Sequence, residues 1–344
     1  MQNLTLGKLD KLVVHFVGNK TNGDGVRFSN ILIQFEKIDG YIKQLVSNNF
    51  KLDELYCFYF HPNLDLNPMF QFVSSIFEDL NLFVEQSQNS ARYLYDKSIN
   101  PRVKAGELCF SYFKNCEFNG ENVDCIGIFK SENKETILKI SPVSEGFELN
   151  DEKGINIHKL DKGCLIFNTE KDSGYVVAVV DNTNKGIEAQ YWIDDFLHVR
   201  SRKDEYYNTQ NILSIYKNFV KNELPQQFEI SKADQADLIN KSVRFFKEKD
   251  AFDINEFANQ VIGEKSMIDS FNMFKNDYQK EREIEISDNF QISESAVKKN
   301  SRSLKGIIKL DKNFDIHIHG NRDLIEHGID EKGKYYKVYY TEET

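Results

Sequence analysis

The chain of 344 residues carries 44 Lys and Arg against 54 Asp and Glu, a formal net charge of −10, and its isoelectric point is near 5.4. Such a length is long for one domain and favours two units. The acidic balance excludes a protein that coats nucleic acid by bulk charge, because that mode needs cations to neutralise phosphates and release counterions; any such contact has to come from local basic patches.

Residues 12–17 form a short apolar run, and GNKTNGDG at 18–25 is a loop by composition, with Asn-Gly and Asp-Gly marking turns. Its glycines, Lys20 and Thr21 do not make a phosphate loop, since the lysine arrives two residues after the first glycine instead of after a full wrap of backbone. Two helical stretches follow. In ILIQFEKIDGYIKQLV the apolar residues Ile31, Phe35, Ile38, Ile42 and Leu45 recur every three or four positions. MFQFVSSIFEDLNLFVEQSQNSARYLY runs on as one long stretch with Phe72, Ile76, Leu80 and Val84 four apart.

From Leu108 the period becomes that of strands. CFSYFKNCEF, the turn at 119–122 and VDCIGIFKSE predict a hairpin, KETILKI a third strand, and GCLIFNTEKDSGYVVAVVDNTNKG two more, punctuated by Asp172-Ser173-Gly174 and Asn184-Lys185-Gly186. TQNILSIYKNFVKNEL predicts a helix stopped by Pro225, and PQQFEISKADQ is the candidate linker. Ser231 with Asp234, and Asp253 with Glu256, predict N-caps for helices over 236–249 and 254–263. The charge-dense DYQKEREIEISD reads as a solvated helix end or connector. A helix over 293–304 then precedes a meander of GIIKL, DKNFDIHIHG and KYYKVYY, with turns at Lys312-Asn313 and Lys332-Gly333. The expected class is α+β: N-terminal helices plus an antiparallel sheet in residues 1–224, then a helical region ending in a small β-meander in residues 225–344.

Cys57, Cys109, Cys116, Cys125 and Cys164 make an odd set without a C-x-x-C pair, which fits reduced thiols better than a disulfide framework or zinc site. The opening residues lack a basic segment ahead of a long apolar core, and no run reaches the ~18 apolar residues of a membrane span, so a cytoplasmic protein is expected.

Two basic clusters stand out. Lys298, Lys299, Arg302, Lys305, Lys309 and Lys312 face only Asp311 within residues 298–312, and FQISESAVKKNSR has the rhythm of a DNA recognition helix with Ser293 as N-cap. His198, Arg200, Arg202 and Lys203 precede Tyr206 and Tyr207, a combination able to grip phosphate while a ring packs on sugar or base. The bland alternatives are solubilising lysines for the first cluster and, for the second, a loop in which Arg202 pairs with Asp204 or Glu205. Asp315, His317 and His319 share one strand face about 7 Å apart, with His327 as a conceivable fourth ligand; an exposed polar strand face is the stronger reading, and no metal or other cofactor is expected. There is no G-x-S-x-G elbow, no H-E-x-x-H and no nucleophile signature around a cysteine, so no catalytic residue is assigned.

Four blocks carry a resemblance. They are the closing LKGIIKLDKNFDIHIHGNRDLIEHGIDEKGKYYKVYY (304–340), the opening LDKLVVHFVGNK (9–20), KLDKGCLIFNTEKDSGYVVAVVDNTNKGIEAQYW (159–192) and SKADQADLINKSVRFFKE (231–248). Together they resemble the bacterial nucleoid-associated proteins of the NdpA/YejK kind. The resemblance implies a cytoplasmic, nucleoid-located protein that binds double-stranded DNA with little sequence preference, as a homodimer and without enzymatic activity. The alternatives are an interaction adaptor recruited by a DNA-processing enzyme such as a topoisomerase and, less favoured, a metal-dependent nuclease or phosphoesterase built on the Asp315, His317 and His319 face. The family supplies no site residues to carry over.

Overall fold

The computed structural model describes residues 3–183, 191–301, 304, 306–318 and 322–342. It is an α+β protein whose chain divides into two compact units, Met1–Arg202 and Lys203–Thr344.

In the first unit the elements run β1 (Leu4–Thr5), β2 (Lys8–Val17), β3 (Val26–Arg27), α1 (Asp39–Asn49), β4 (Tyr56–Phe58), α2 (Pro68–Glu78), α3 (Phe83–Lys97), β5 (Gly106–Phe118), β6 (Glu121–Ser131), β7 (Glu135–Val143), β8 (Gly146–Gly154), β9 (Lys162–Phe167), β10 (Val176–Asp181) and β11 (Val199–Ser201). One antiparallel sheet has the order β11-β4-β10-β9-β6-β5-β2-β3, with β1 beside β5. The β5–β6 hairpin turns at Asn119 and Gly120, both with positive φ, as a tight hairpin turn requires.

The period of two sorts the side chains onto two buried faces. Cys164 and Ile166 of β9 and Val177 of β10 join a cluster with Val73, Ile76, Phe83 and Leu94 of α2 and α3. Leu165, Phe167, Val176 and Ala178 point the other way, into a cluster with Leu45 and Val46 of α1. Because both faces are covered, these strands read as continuous apolar runs instead of alternating ones.

Three local expectations differ. The long helical stretch over 69–95 is two helices, because Asp79 breaks the run and its side chain accepts from Asn81 N–H at 2.9 Å. The first half of the stretch over 31–46 is not helical: Ile33 N–H donates to the Leu12 carbonyl at 2.8 Å, and α1 starts only at Asp39. KETILKI forms β7, which pairs only with β8 in a separate two-stranded hairpin outside the main sheet.

The second unit runs α4 (Glu205–Asn218), a π-helical turn (Phe219–Glu223), α5 (Leu224–Gln227), α6 (Lys232–Glu248), β12 (Ala251–Asp253), α7 (Ile254–Phe257), α8 (Lys265–Glu281), β13 (Asn289–Gln291), α9 (Glu294–Ser301), β14 (Ile307–Leu310), β15 (Phe314–His317), β16 (Ile325–Asp330) and β17 (Gly333–Val338). Its core gathers Ile212, Ile215, Tyr216 and Phe219 with Phe246, Phe257 and Phe271. α4 spends its apolar face on the C-terminal helices, and the compact units divide at Arg202/Lys203.

The expected linker is structured: Pro225 sits in the first turn of α5, and Ser231 caps α6. Its hydroxyl accepts from Asp234 N–H at 3.1 Å, while Asp234 accepts from Ser231 N–H at 3.1 Å. Asp253 caps α7 by accepting from Asn255 and Glu256 N–H. The 17-residue α8 was not anticipated, and the charge-dense run begins as its last turns. The predicted meander is two separate hairpins, β14–β15 and β16–β17. Gly306 lets β14 approach α6 closely, for a Cβ there would meet the Asn240 amide at 2.8 Å and the Ala236 carbonyl at 3.1 Å. Asn240 in turn donates to the Ile318 carbonyl at 2.7 Å. Among the described residues, no helix is long and apolar enough to cross a membrane.

Candidate nucleic-acid interface

The cluster around Arg200 is largely neutralised. Arg202 Nη2 lies 2.9 Å from both carboxylate oxygens of Glu170, and the Arg202 backbone N–H donates to the Leu55 carbonyl. A guanidinium already paired with a carboxylate has its charge offset before a phosphate could meet it. The proposed local partners do otherwise: Asp204 caps α4, accepting from Tyr207 N–H at 3.0 Å. Arg200, exposed on β11, lies 5.5 Å over the Tyr59 ring. Lys203 belongs to the second unit and pairs there with Glu285 at 2.7 Å, which holds the glutamate's carboxyl below its usual range. Tyr206 is buried, so it offers no stacking face to solvent.

The cluster on α9 fares better. Ala296 and Val297 face the core, and Lys298 and Lys299 are exposed. Lys299 reaches over the Tyr206 ring at 5.4 Å. Lys298 lines a cleft of about 580 Å³ together with Lys247 and Lys249 from the end of α6, and with Asp250 and Glu294. Lys249 is paired with Glu256 at 2.6 Å. The element ahead of α9 is the strand β13, so the recognition-helix arrangement expected for FQISESAVKKNSR is not formed at this place. Arg302 and Lys305 lie outside the described residues.

Lys309 of the first sequence cluster instead joins two lysines that the sequence clusters passed over. Lys221 on the π-helical turn, Lys232 at the start of α6 and Lys309 on β14 line a groove of about 350 Å³ with no carboxylate among the described residues of its lining. The available signal was the pair Lys217 and Lys221, four apart on a helical run with no acid between them. Like charges at that spacing repel.

On the strand read as a conceivable metal face, Asp315 and His317 are exposed, and His327 stands in another hairpin with its ring edge-on to Tyr336. His319 lies outside the described residues. Among the described residues, no three His, Cys, Asp or Glu side chains converge as a metal would need. The cysteines are free; burial raises the thiols of Cys109, Cys125 and Cys164, the opposite of what a nucleophile needs.

A family model described as nucleoid-associated protein YejK matches residues 13–334, nearly the whole chain. None of the curated proteins matches it.

Proposed function

Because the chain belongs to the family of nucleoid-associated proteins exemplified by YejK, we propose that it binds double-stranded DNA through the lysines of its second unit, contacting backbone rather than base edges. The observation that carries this reading is the cleft where Lys298 of α9 meets Lys247 of α6 and Lys249, the residue that follows α6, with Lys299 exposed beside it. Cations on rigid helices, in an otherwise acidic protein, focus attraction on one surface and leave the remainder repelled by DNA. The reading is non-enzymatic and uses no cofactor.

A protein contact is favoured by a separate observation. Leu138 and Ile140 of β7 share a face with Phe147 and Leu149 of β8 and are 61–78% exposed. The hairpin over 135–154 carries five carboxylates against two lysines, so DNA is a poor partner for it. The proposed occupant is a second copy of the chain, since a homodimer doubles the number of phosphate contacts. Recruitment by a DNA-processing enzyme such as a topoisomerase is the competing use of the same face.

The test is duplex binding across a salt series. Log K should fall linearly with log salt, and Lys298→Gln with Lys247→Gln should lower the slope by about 0.9 for each phosphate that is no longer neutralised. Arg202→Gln, which removes a cation already held by Glu170, should leave slope and affinity unchanged. A purified protein that binds no duplex even at low salt would overturn the reading.

A further inference from the structure

The groove lined by Lys221, Lys232 and Lys309 differs in kind from the cleft at α9. The α9 cleft sets Asp250 and Glu294 among its lysines, whereas the described lining of this groove holds no carboxylate. Lys217 adds a fourth cation beside Lys221, and burial together with Lys217 and Lys232 lowers the Lys221 ammonium below its usual range. Among the described residues no ion pair engages Lys217, Lys221 or Lys309. Asp315 stands directly across the hairpin from Lys309 without pairing to it. Lys232 donates to the Gln235 side-chain oxygen at 3.2 Å.

Three separate segments are brought together to make this concentration of charge. The π-helical turn carries Lys221, the capped start of α6 carries Lys232, and β14, drawn against α6 at Gly306, carries Lys309. Mutual repulsion of unpaired lysines costs folding energy and is repaid when an anion neutralises them.

Lys232 and Lys247 lie on the same helix, α6, fifteen positions apart in the sequence. At 1.5 Å and 100° per residue they are separated by about 22 Å along the axis and about 60° around it. The two basic sites therefore look out on the same side of α6, at a spacing of roughly six to seven base pairs of duplex.

We propose that the Lys221, Lys232 and Lys309 groove is a seat for closely spaced backbone phosphates, a second contact point on the same DNA duplex. The proposal rests on the DNA-binding reading above. The shared chemistry is phosphate, which a free polyphosphate also offers, and the source assigned here is the duplex.

The experiment uses the full-length protein, a duplex of about 30 base pairs of mixed sequence, and inorganic tripolyphosphate as the second probe. The triple variant Lys221→Gln, Lys232→Gln, Lys309→Gln should bind duplex more weakly and with a salt slope smaller by about 2–3, in addition to the reduction from the α9 variants. The charge-keeping variant Lys221→Arg, Lys232→Arg, Lys309→Arg should retain the wild-type slope, and its failure to do so would overturn the proposal. An unchanged slope in the glutamine variant, with wild type binding normally, overturns the groove and leaves the DNA reading standing. Wild type that binds no duplex overturns both. Loss of tripolyphosphate binding with duplex binding intact assigns the groove to free phosphates and also overturns it.

Discussion

Lys162 and Asp181 face each other directly across β9 and β10, Nζ to Oδ1 at 2.8 Å, with 0% and 5% of their side chains exposed. They belong to a buried polar network. Lys130 donates to Glu132 at 3.0 Å and to the Lys104 carbonyl at 2.8 Å, and the Tyr191 hydroxyl donates to Glu132 at 2.8 Å. Both ammonium groups lie 5.3–5.5 Å from the Tyr191 ring. Asp161 accepts from Glu132 and Asn133 N–H and closes the end of the network. Burial lowers Lys130 despite Glu132, and burial followed by Glu132 raises Tyr191.

Removing Asp181 leaves the buried Lys162 ammonium with only the more distant Glu132 Oε2, at 3.9 Å, to balance it among the described residues. Asp181→Ala should therefore destabilise the first unit by about 3–5 kcal/mol in urea unfolding, whereas Lys162→Met with Asp181→Leu should recover most of that stability. A cost below about 1 kcal/mol for Asp181→Ala would show that water reaches the pair.

His15 is a second buried polar group, and its tautomer follows from its partners. Nδ1 accepts from Ser29 N–H at 3.1 Å, so Nε2 carries the proton and donates to the Ser87 hydroxyl at 2.9 Å; the Ser87 hydroxyl in turn donates to the Val84 carbonyl at 2.7 Å. Burial lowers the imidazole from 6.5 to about 4. Above pH 6.5 the ring is neutral folded or unfolded and contributes no pH dependence. Between pH 6.5 and 4 the unfolded chain takes up a proton that the native ring refuses, so stability falls as pH falls, by at most about 1.4 kcal/mol per pH unit. His15→Gln should flatten that part of the stability profile, and an identical profile in the variant would remove His15 as its source.

How far sequence carried the fold depended on how local each determinant was. The β5–β6 hairpin and the Ser231–Asp234 cap were legible because period-two alternation, turn residues and a cap three residues from its partner are short-range signals. Arg202 was not, because Glu170, which neutralises it, is 32 residues away in sequence and is brought near only by the folded sheet. α8 was hidden because its last turns, from Asp277, belong to a charge-dense run that reads as solvated, while its buried Phe271 sits between the polar Ser270 and Asn272 and Lys275 within it is itself buried. The buried lysines Lys130 and Lys162 contradict the strongest compositional prior for lysine, and only the carboxylates facing them make that burial tolerable. Of the candidate DNA site, the sequence located the α9 lysines, but it could not locate a groove assembled from three separated segments.

The β7–β8 hairpin supplies the last prediction. Register pairs Ile140 with Leu149 and Pro142 with Phe147, so the turn end of one face is an apolar patch that Leu138 extends beside Asp151, while Lys139 and Glu152 pair at 2.8 Å on the opposite face. A two-stranded hairpin is marginal in water by itself, and an apolar face this exposed is a liability for aggregation unless something covers it. If a second copy does so, Phe147→Ser with Leu149→Ser should convert a dimer into a monomer in sedimentation velocity. It should also weaken duplex binding, through reduced avidity, without changing the affinity of each protomer's own lysines. A wild-type protein that sediments as a monomer, or a variant that remains dimeric, would rule out this face as the homodimer contact and turn attention to a different protein as its occupant.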